Sequence, residues 1–217
     1  PAWEEVVRFV ADPAPDAYPR LVDRFLASPH YGERMAIPWL DVVRFADTIG
    51  YHSDNYMEVS AYRDYVIESF NENKPFDQFT IEQLAGDLLP DPSQEQLVAS
   101  GYNRLLQTTE EGGAQAKEYI AIYAADRVRN LSGVWMGQTV GCAQCHDHKY
   151  DPVTQRDFYQ LYAFFNNIDA APETPGKGIH APFIRIPTRE QAEQLEAIEN
   201  YNASQVFSED SVLLGKY

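Results

Sequence analysis

Apolar side chains recur at spacings of three and four residues along most of the chain, and alternating polar and apolar runs are almost absent. This period is that of an amphipathic α-helix, whereas a half-buried strand has a period of two. The pattern therefore predicts a mostly α fold. The predicted helices cover residues 3–10, 20–27, 31–47, 59–72, 76–88, 93–100, 116–134, 154–165 and 188–200.

Local signals refine the ends of several predicted helices. Ser93 and Gln96 have the spacing of a capping box, in which a hydroxyl and an amide side chain each bond the other residue's backbone. Thr188 and Gln191 repeat that spacing before the last helix. Pro38 lies inside the third predicted helix, where it is expected to kink the helix or to begin a new one.

A stretch rich in proline and glycine separates the last predicted helix from the others. We therefore expect a helical domain over 1–168, a linker over 169–187 and a terminal helix with a tail over 188–217. The chain begins with Pro1 rather than Met, and residues 208–217 contain no obvious helix-stop signal, so we expect both ends to continue into a longer protein.

The chain is strongly acidic, with 17 basic and 33 acidic side chains among 217 residues and a net charge of −16. This charge argues against nucleic acid and anionic membranes as partners, and it suits a basic redox partner. There is no run of 18 or more apolar residues, so the sequence predicts no membrane span.

The two cysteines of the chain, Cys142 and Cys145, are followed directly by His146. Cys-x-x-Cys-His is the attachment sequence of a covalently bound c-type haem. In this interpretation the two thiols bind the haem covalently and His146 is the metal ligand on the iron. Two alternatives stay open. The cysteines could form a disulfide, or they could belong to a tetrahedral metal site that takes further ligands from elsewhere.

A six-coordinate haem also needs a ligand on its other face. His52, in the polar and aromatic loop 51–57, is the predicted distal residue, as sixth ligand or as a hydrogen-bond donor. His148 is predicted to hold a haem propionate or to cap a surface turn. The other histidines and methionines complete the set of candidates: His30, His180, Met35, Met57 and Met136.

Acidic residues near the start of the longest helix form a second candidate cluster. Glu110 and Glu111, beside an open haem face, would have the chemistry of a general acid and base. The favoured alternative is a helix-start turn, together with a buried ion pair of Asp126 with Arg127 or Arg129.

Several blocks of sequence extend beyond the cysteines and carry a family resemblance: ASPHYGER, YRDYVIESFN, FDQFTIEQLAGDLLP, TTEEGG and GCAQCHDHKYDPVTQRDFYQLYAFFNN. Together they resemble the planctomycete cytochrome C domain family, and specifically the second domain of that name. The resemblance implies a part of a large exported protein, with another cytochrome-like domain upstream and a companion domain downstream. It also implies a redox role in the context of polysaccharide degradation.

From these features we predict an exported c-type haem protein, periplasmic or at the cell surface, that transfers single electrons. Its expected partners are a redox protein or another cytochrome domain, and the companion domain of the same polypeptide. One alternative is a haem oxidoreductase acting on peroxide or carbohydrate through an open distal site. Another is a structural domain stabilised by haem or by a Cys142–Cys145 disulfide.

Overall fold

The computed structural model describes residues 1–51, 54–109, 111, 113–168 and 183–214, with side chains given up to residue 203 except at position 189. Within these ranges the regular structure is helical, and only isolated β-bridges occur beside the helices. The predicted mostly α fold is therefore confirmed. None of the described helices is both long and apolar enough to cross a membrane.

The α-helices, numbered along the chain, are α1 Trp3–Val10, α2 Ala17–Leu26, α3 His30–Val42, α4 Ser60–Asn71, α5 Phe76–Ala85, α6 Gln94–Ala99, α7 Ala116–Trp135, α8 Gln155–Phe165 and α9 Arg189–Leu214. Three short 3₁₀ segments accompany them: Gly86–Leu88, Ser100–Arg104 and Val140–Gln144.

Both predicted capping boxes are present. The Ser93 hydroxyl accepts the backbone N–H of Gln96 at 3.2 Å, and the Gln96 side chain accepts the backbone N–H of Ser93 at 3.0 Å. Thr188 and Gln191 exchange the same two bonds at 3.2 and 2.9 Å. Each box satisfies backbone donors that a helix start leaves open, which explains where α6 and α9 begin.

Helix α3 includes Pro38 without a new helix beginning there, and it ends at Val42 instead of near residue 47. Arg44 stops it, because its φ of 64° lies in the left-handed region, which a right-handed helix cannot include. The guanidinium of Arg44 forms an ion pair with Asp126 on α7 at 2.7 Å, and this contact accompanies the unfavourable backbone angle.

The first core cluster joins α3, α4 and α5 with the 3₁₀ segment at 100–104. Trp39 lies within this cluster, with its ring centroid 5.0 Å from that of Phe79 and 4.9 Å from that of Trp135. Its indole N–H donates to Gln83 Oε1 at 3.2 Å, so this polar group does not remain unsatisfied.

The second core cluster joins α7 and α8 with the 3₁₀ segment at 140–144. Phe158 of α8 is fully buried there, against Ala125 and Val128 of α7. Val134 and Trp135, at the end of α7, pack against the first cluster instead. Helix α7 therefore contributes to both cores, and one of its faces packs against residues 140–144, which begin the cysteine segment 140–146.

The chain divides into two compact units, residues 1–183 and 184–217. In the first unit, α1 and α2 contact each other and have no buried residues. The second unit contains α9, whose apolar side chains Leu195, Ile198 and Tyr201 are exposed.

Candidate functional site

The cysteine segment follows α7 after a short turn. Sequence periodicity predicts that the helix leads directly into this segment, but α7 ends at Trp135 and Gly137 adopts a φ of 61°. This left-handed glycine is the usual device for ending a helix and redirecting the chain. The 3₁₀ segment that begins at Val140 then returns the chain to α7.

The 3₁₀ geometry explains why both cysteines lie on the surface. In a 3₁₀ segment, side chains three residues apart point in the same direction. Val140 and Ala143 share one such direction and are buried in the second core cluster, with 3 % and 0 % of their surface exposed. Cys142 lies in this segment, Cys145 directly follows its end at Gln144, and both are free, exposed thiols. Two nucleophilic side chains therefore lie close in sequence on the outer side of one turn.

His146 follows on the same surface and is also exposed. Its Nδ1 lies 2.7 Å from the backbone carbonyl oxygen of Asp147. Since a carbonyl oxygen can only accept, Nδ1 must carry the proton in this arrangement. Nε2 is then the atom with the lone pair, and it can coordinate a metal while the backbone contact orients the ring.

His148 is held by the turn that follows His146. Its Nδ1 accepts the backbone N–H groups of Asp151 at 2.9 Å and Tyr150 at 3.3 Å, and its Nε2 contacts the hydroxyl of Thr139 at 3.1 Å. Only 7 % of this side chain is exposed. Because Nδ1 already accepts two donors, the proton belongs on Nε2, and the nearby Asp151 carboxylate is a neighbour rather than an ion-pair partner. The His148 imidazole thus joins Thr139, before the cysteine segment, to Asp151, after it.

Residues that the motif alone does not reveal support the segment from outside. The Arg129 side chain lies along Gly141, where an added Cβ would be 2.7 Å from its Cγ, and its guanidinium donates to the Gln144 side chain. The carbonyl oxygen of Gln144 accepts from the amide of Gln155 at 3.1 Å and from the Tyr159 hydroxyl at 3.2 Å. In the sequence, Gly141 is the one sign of this support by Arg129, since a glycine next to a motif often marks a close approach of another side chain.

The predicted distal residue His52 lies outside the described residues, as do His180 and Glu110. Ile49, two residues before the loop 51–57 that contains His52, is 1 % exposed. The Ile49 carbonyl accepts the N–H of Thr108 at 3.0 Å, and its own N–H donates to Asn55 at 3.0 Å. The prediction for His52 therefore remains a prediction.

Of the other predicted ligands, Met57 is half-buried, and His30, Met35 and Met136 lie at the surface. His30 is exposed, and its Nδ1 contacts the Glu33 carboxylate at 2.8 Å. Met35 and Met136 are exposed to 37 % and 50 %. Within the described part of the chain, no group of three or more His, Cys, Asp or Glu side chains has an arrangement that could hold a metal ion.

The predicted ion pair of Asp126 with Arg127 or Arg129 is wrong. Both oxygens of Asp126 accept from Arg44, which lies 82 positions earlier in the chain, at 3.0 and 2.7 Å. Arg127 donates its Nε–H to the Asn103 carbonyl at 2.8 Å. Arg127 follows Asp126 directly and points in a different direction, whereas Arg129 has the spacing for such a pair but donates to the Gln144 side chain instead. The carboxylate is therefore paired by tertiary packing.

The model of a family described as PSCyt2, a protein of unknown function (DUF1549), matches residues 1–170. No curated protein and no solved structure matches the chain.

Proposed function

Since the chain belongs to the PSCyt2 family of proteins of unknown function (DUF1549), a planctomycete cytochrome-domain-like family, we propose that it is an exported c-type haem protein that transfers single electrons. Cys142 and Cys145 would hold the haem covalently, and His146 would bind its iron. The partner is a redox protein or another cytochrome domain, and the chain works within a larger assembly.

One observation supports this proposal above the others: all three side chains of the motif are exposed at the surface. The two thiols are free and exposed, and the imidazole carries its proton on Nδ1. Each thiol would hold the haem by adding its S–H across a vinyl group; the S–H bond and the vinyl π bond break, a C–S and a C–H bond form, and no oxidant is needed. The residues therefore fit a covalently held haem.

When bound, the haem supplies an iron that alternates between its ferrous and ferric states. The residues of the chain would hold the haem and orient the imidazole that binds its iron. The Asp147 carbonyl keeps the proton on Nδ1 of His146, which raises the electron density available at Nε2. The contacts of His148 with Thr139 and Asp151 fix the ends of the segment that carries all three residues.

The proposed location follows from the attachment chemistry. Bacteria attach haem to Cys-x-x-Cys-His on the outer side of the cytoplasmic membrane, so the haem proposal requires export to the periplasm or the cell surface. The acidic surface, with a net charge of −16, favours association with a basic redox partner.

The test is a pyridine haemochrome spectrum combined with the intact mass of protein purified from its native source. We expect one covalently bound haem per chain, and sharp reduced α and β bands for a low-spin electron carrier. The double variant Cys142→Ser/Cys145→Ser should keep its helical circular dichroism and lose the covalent haem. An intact mass equal to that of the bare polypeptide would overturn the proposal.

The same measurements separate the alternative functions. A mass lower by two hydrogens with no Soret band would indicate a Cys142–Cys145 disulfide and a structural domain. A high-spin spectrum with covalent haem would instead favour an oxidoreductase with an open distal site.

A further inference from the structure

The carboxylate of Asp147, the residue after His146, contacts the start of helix α8. Its Oδ1 accepts the backbone N–H of Gln155 at 2.8 Å. Gln155 is the first residue of α8, and the N–H groups of a first turn have no acceptor within their own helix. The helix dipole also favours a negative charge at this end. The contact therefore attaches Asp147 to α8 and satisfies a donor that the helix leaves open.

The backbone of Asp147 contacts the imidazole of His146. Its carbonyl oxygen accepts the Nδ1–H of the ring at 2.7 Å. Both residues are exposed, so packing alone does not hold the carbonyl on the ring. An exposed imidazole can carry its proton on either nitrogen, and the hydrogen bond at one nitrogen decides between them. Asp147 thus joins the ring to α8, through its carbonyl on one side and its carboxylate on the other.

Helix α8 also holds the residue before Cys145. The carbonyl oxygen of Gln144 accepts from the side-chain amide of Gln155 at 3.1 Å and from the hydroxyl of Tyr159 at 3.2 Å. Residues 145 and 146 of the motif therefore lie between two attachments to the same helix, one at residue 144 and one at residue 147.

Helix α8 is itself firmly held. Its Phe158 side chain is fully buried against Ala125 and Val128 of α7. Its start has a capping box, in which the Thr154 hydroxyl accepts the N–H of Asp157 at 3.1 Å and the Asp157 carboxylate accepts the N–H of Thr154 at 2.8 Å. Because α8 is fixed at its start and along its core face, it is a rigid support for the residues attached to it.

We propose that Asp147 is a positioning residue for His146. Its carboxylate, bound to the N–H of Gln155, keeps its carbonyl on Nδ1 of the ring, and Nε2 is left with the lone pair that binds a metal. A histidine that binds a metal usually donates its other N–H to such an acceptor, which raises the basicity of the ligand. The inference rests on the proposed function for the identity of that metal, the haem iron.

Four variants separate the acceptor from the donor. Asp147→Ala removes the carboxylate, whereas Asp147→Asn keeps an oxygen that can accept the same N–H. Gln155→Pro removes the donating N–H, and proline is well tolerated at the first position of a helix. The preceding residue, Thr154, already has the extended backbone that proline requires, with a ψ of 162°. Gln155→Ala is the matched control, because it keeps the backbone N–H and loses only the side chain.

The first measurement is the tautomer of His146 in haem-free protein with isotopically labelled histidine. Nitrogen chemical shifts in NMR spectra distinguish a ring nitrogen that carries a proton from one that does not. The spectra are recorded at about pH 9, where an ordinary imidazole is neutral. The signals of His146 are those that disappear in His146→Asn. In the unaltered protein we expect the Nδ1–H form to predominate.

Asp147→Ala and Gln155→Pro should each lower the ratio of the Nδ1–H form to the Nε2–H form by at least about twofold, the size expected for one weak hydrogen bond. Asp147→Asn and Gln155→Ala keep the bond to the start of α8, so their ratios should stay closer to that of the unaltered protein. Circular dichroism checks that each variant keeps its helices.

The second measurement is the reduction potential of the protein with covalent haem. The hydrogen bond from Nδ1 raises the electron density at Nε2 and stabilises ferric iron, so weakening it should raise the potential. Asp147→Ala is compared with Asp147→Asn, because the two have the same net charge. We expect the higher potential in Asp147→Ala, and likewise a higher potential in Gln155→Pro than in Gln155→Ala. A merely structural role would not order the potentials in this way.

Three results would overturn the proposal. These are a tautomer ratio that changes less than about twofold in Asp147→Ala or Gln155→Pro, an equal fall in their controls, and equal potentials within either pair. If Gln155→Pro does not fold, the comparison of Asp147→Ala with Asp147→Asn decides. Native protein without covalent haem would contradict the proposed function, whereas the tautomer in haem-free protein would still decide the role of Asp147.

Discussion

Replacing Lys74 by Met should destabilise the first unit strongly. Lys74 and Glu82 form an ion pair at 2.9 Å, with only 6 % and 4 % of their side chains exposed. The ammonium group also lies 4.6 Å from the centroid of the Tyr65 ring. Methionine has a similar length and shape, so the change removes the charge and leaves most of the packing. Glu82 would then remain buried without its cation.

The magnitude follows from this burial. Removing one partner of a buried ion pair costs about 3–5 kcal/mol, because the other charge is left uncompensated. Glu82 keeps hydrogen bonds from Gln78 and from the Tyr65 hydroxyl, both at 2.9 Å, so we expect the lower end, about 3 kcal/mol. The second contact of Lys74, with Glu95, adds little, since 53 % of that carboxylate side chain is exposed.

The assay is urea denaturation at pH 7, followed by circular dichroism. Lys117→Met, at an exposed position of α7, is the matched control and should change the free energy of unfolding by less than about 0.5 kcal/mol. The double variant Lys74→Met/Glu82→Gln should be more stable than Lys74→Met, because it contains no unpaired buried charge. A loss below about 1 kcal/mol in Lys74→Met, the level of a surface pair, would refute this reasoning.

Two further predictions concern the same unit. Gly86→Ala should destabilise it by about 2 kcal/mol or more, because the new Cβ would lie 2.2 Å from the backbone oxygen of Gln96. The measurement is thermal or urea unfolding, with Gly133→Ala, where an added Cβ has no close neighbour, as the control. A loss no larger than that of the control would contradict this prediction. Burial raises the pKa of Glu82, but hydrogen bonds from Gln78, Lys74 and others outweigh it, so its pKa in the folded state is lowered from 4.5. The stabilisation is therefore present above pH 4.5 and should fall as the pH drops below that value, more steeply in the unaltered protein than in Glu82→Gln; parallel curves would contradict it.

Helix periodicity and capping boxes predict most of the fold because they depend on residues within a few positions of each other. Ser93 with Gln96 is such a case, and the predicted start of α6 is confirmed. The end of α3 is different. Arg44 is a residue that a helix normally accepts, and its left-handed conformation accompanies a contact with Asp126, 82 positions away. Nothing in the local sequence carries that information.

In the candidate site, too, some features follow from the local sequence and others depend on distant parts of the chain. The identities of Cys142, Cys145 and His146 are evident from the sequence, because the motif is local. Their presentation depends on Gly137 and on the burial of Val140, which turn the thiols outward. The glycine is a readable signal for the end of a helix, but the spacing of Val140 and Ala143 indicates burial only once a 3₁₀ segment is known.

Helix α7 shows why neighbouring residues of one helix can serve unrelated purposes. Ala125 and Val128 support the cysteine segment, while Asp126 and Arg127 contact Arg44 and Asn103 on the opposite face. Sequence proximity to the motif therefore does not place a residue beside a haem. Because the two faces take their partners from different parts of the chain, a substitution at Arg127 removes the contact with Asn103 while the packing of the cysteine segment stays intact.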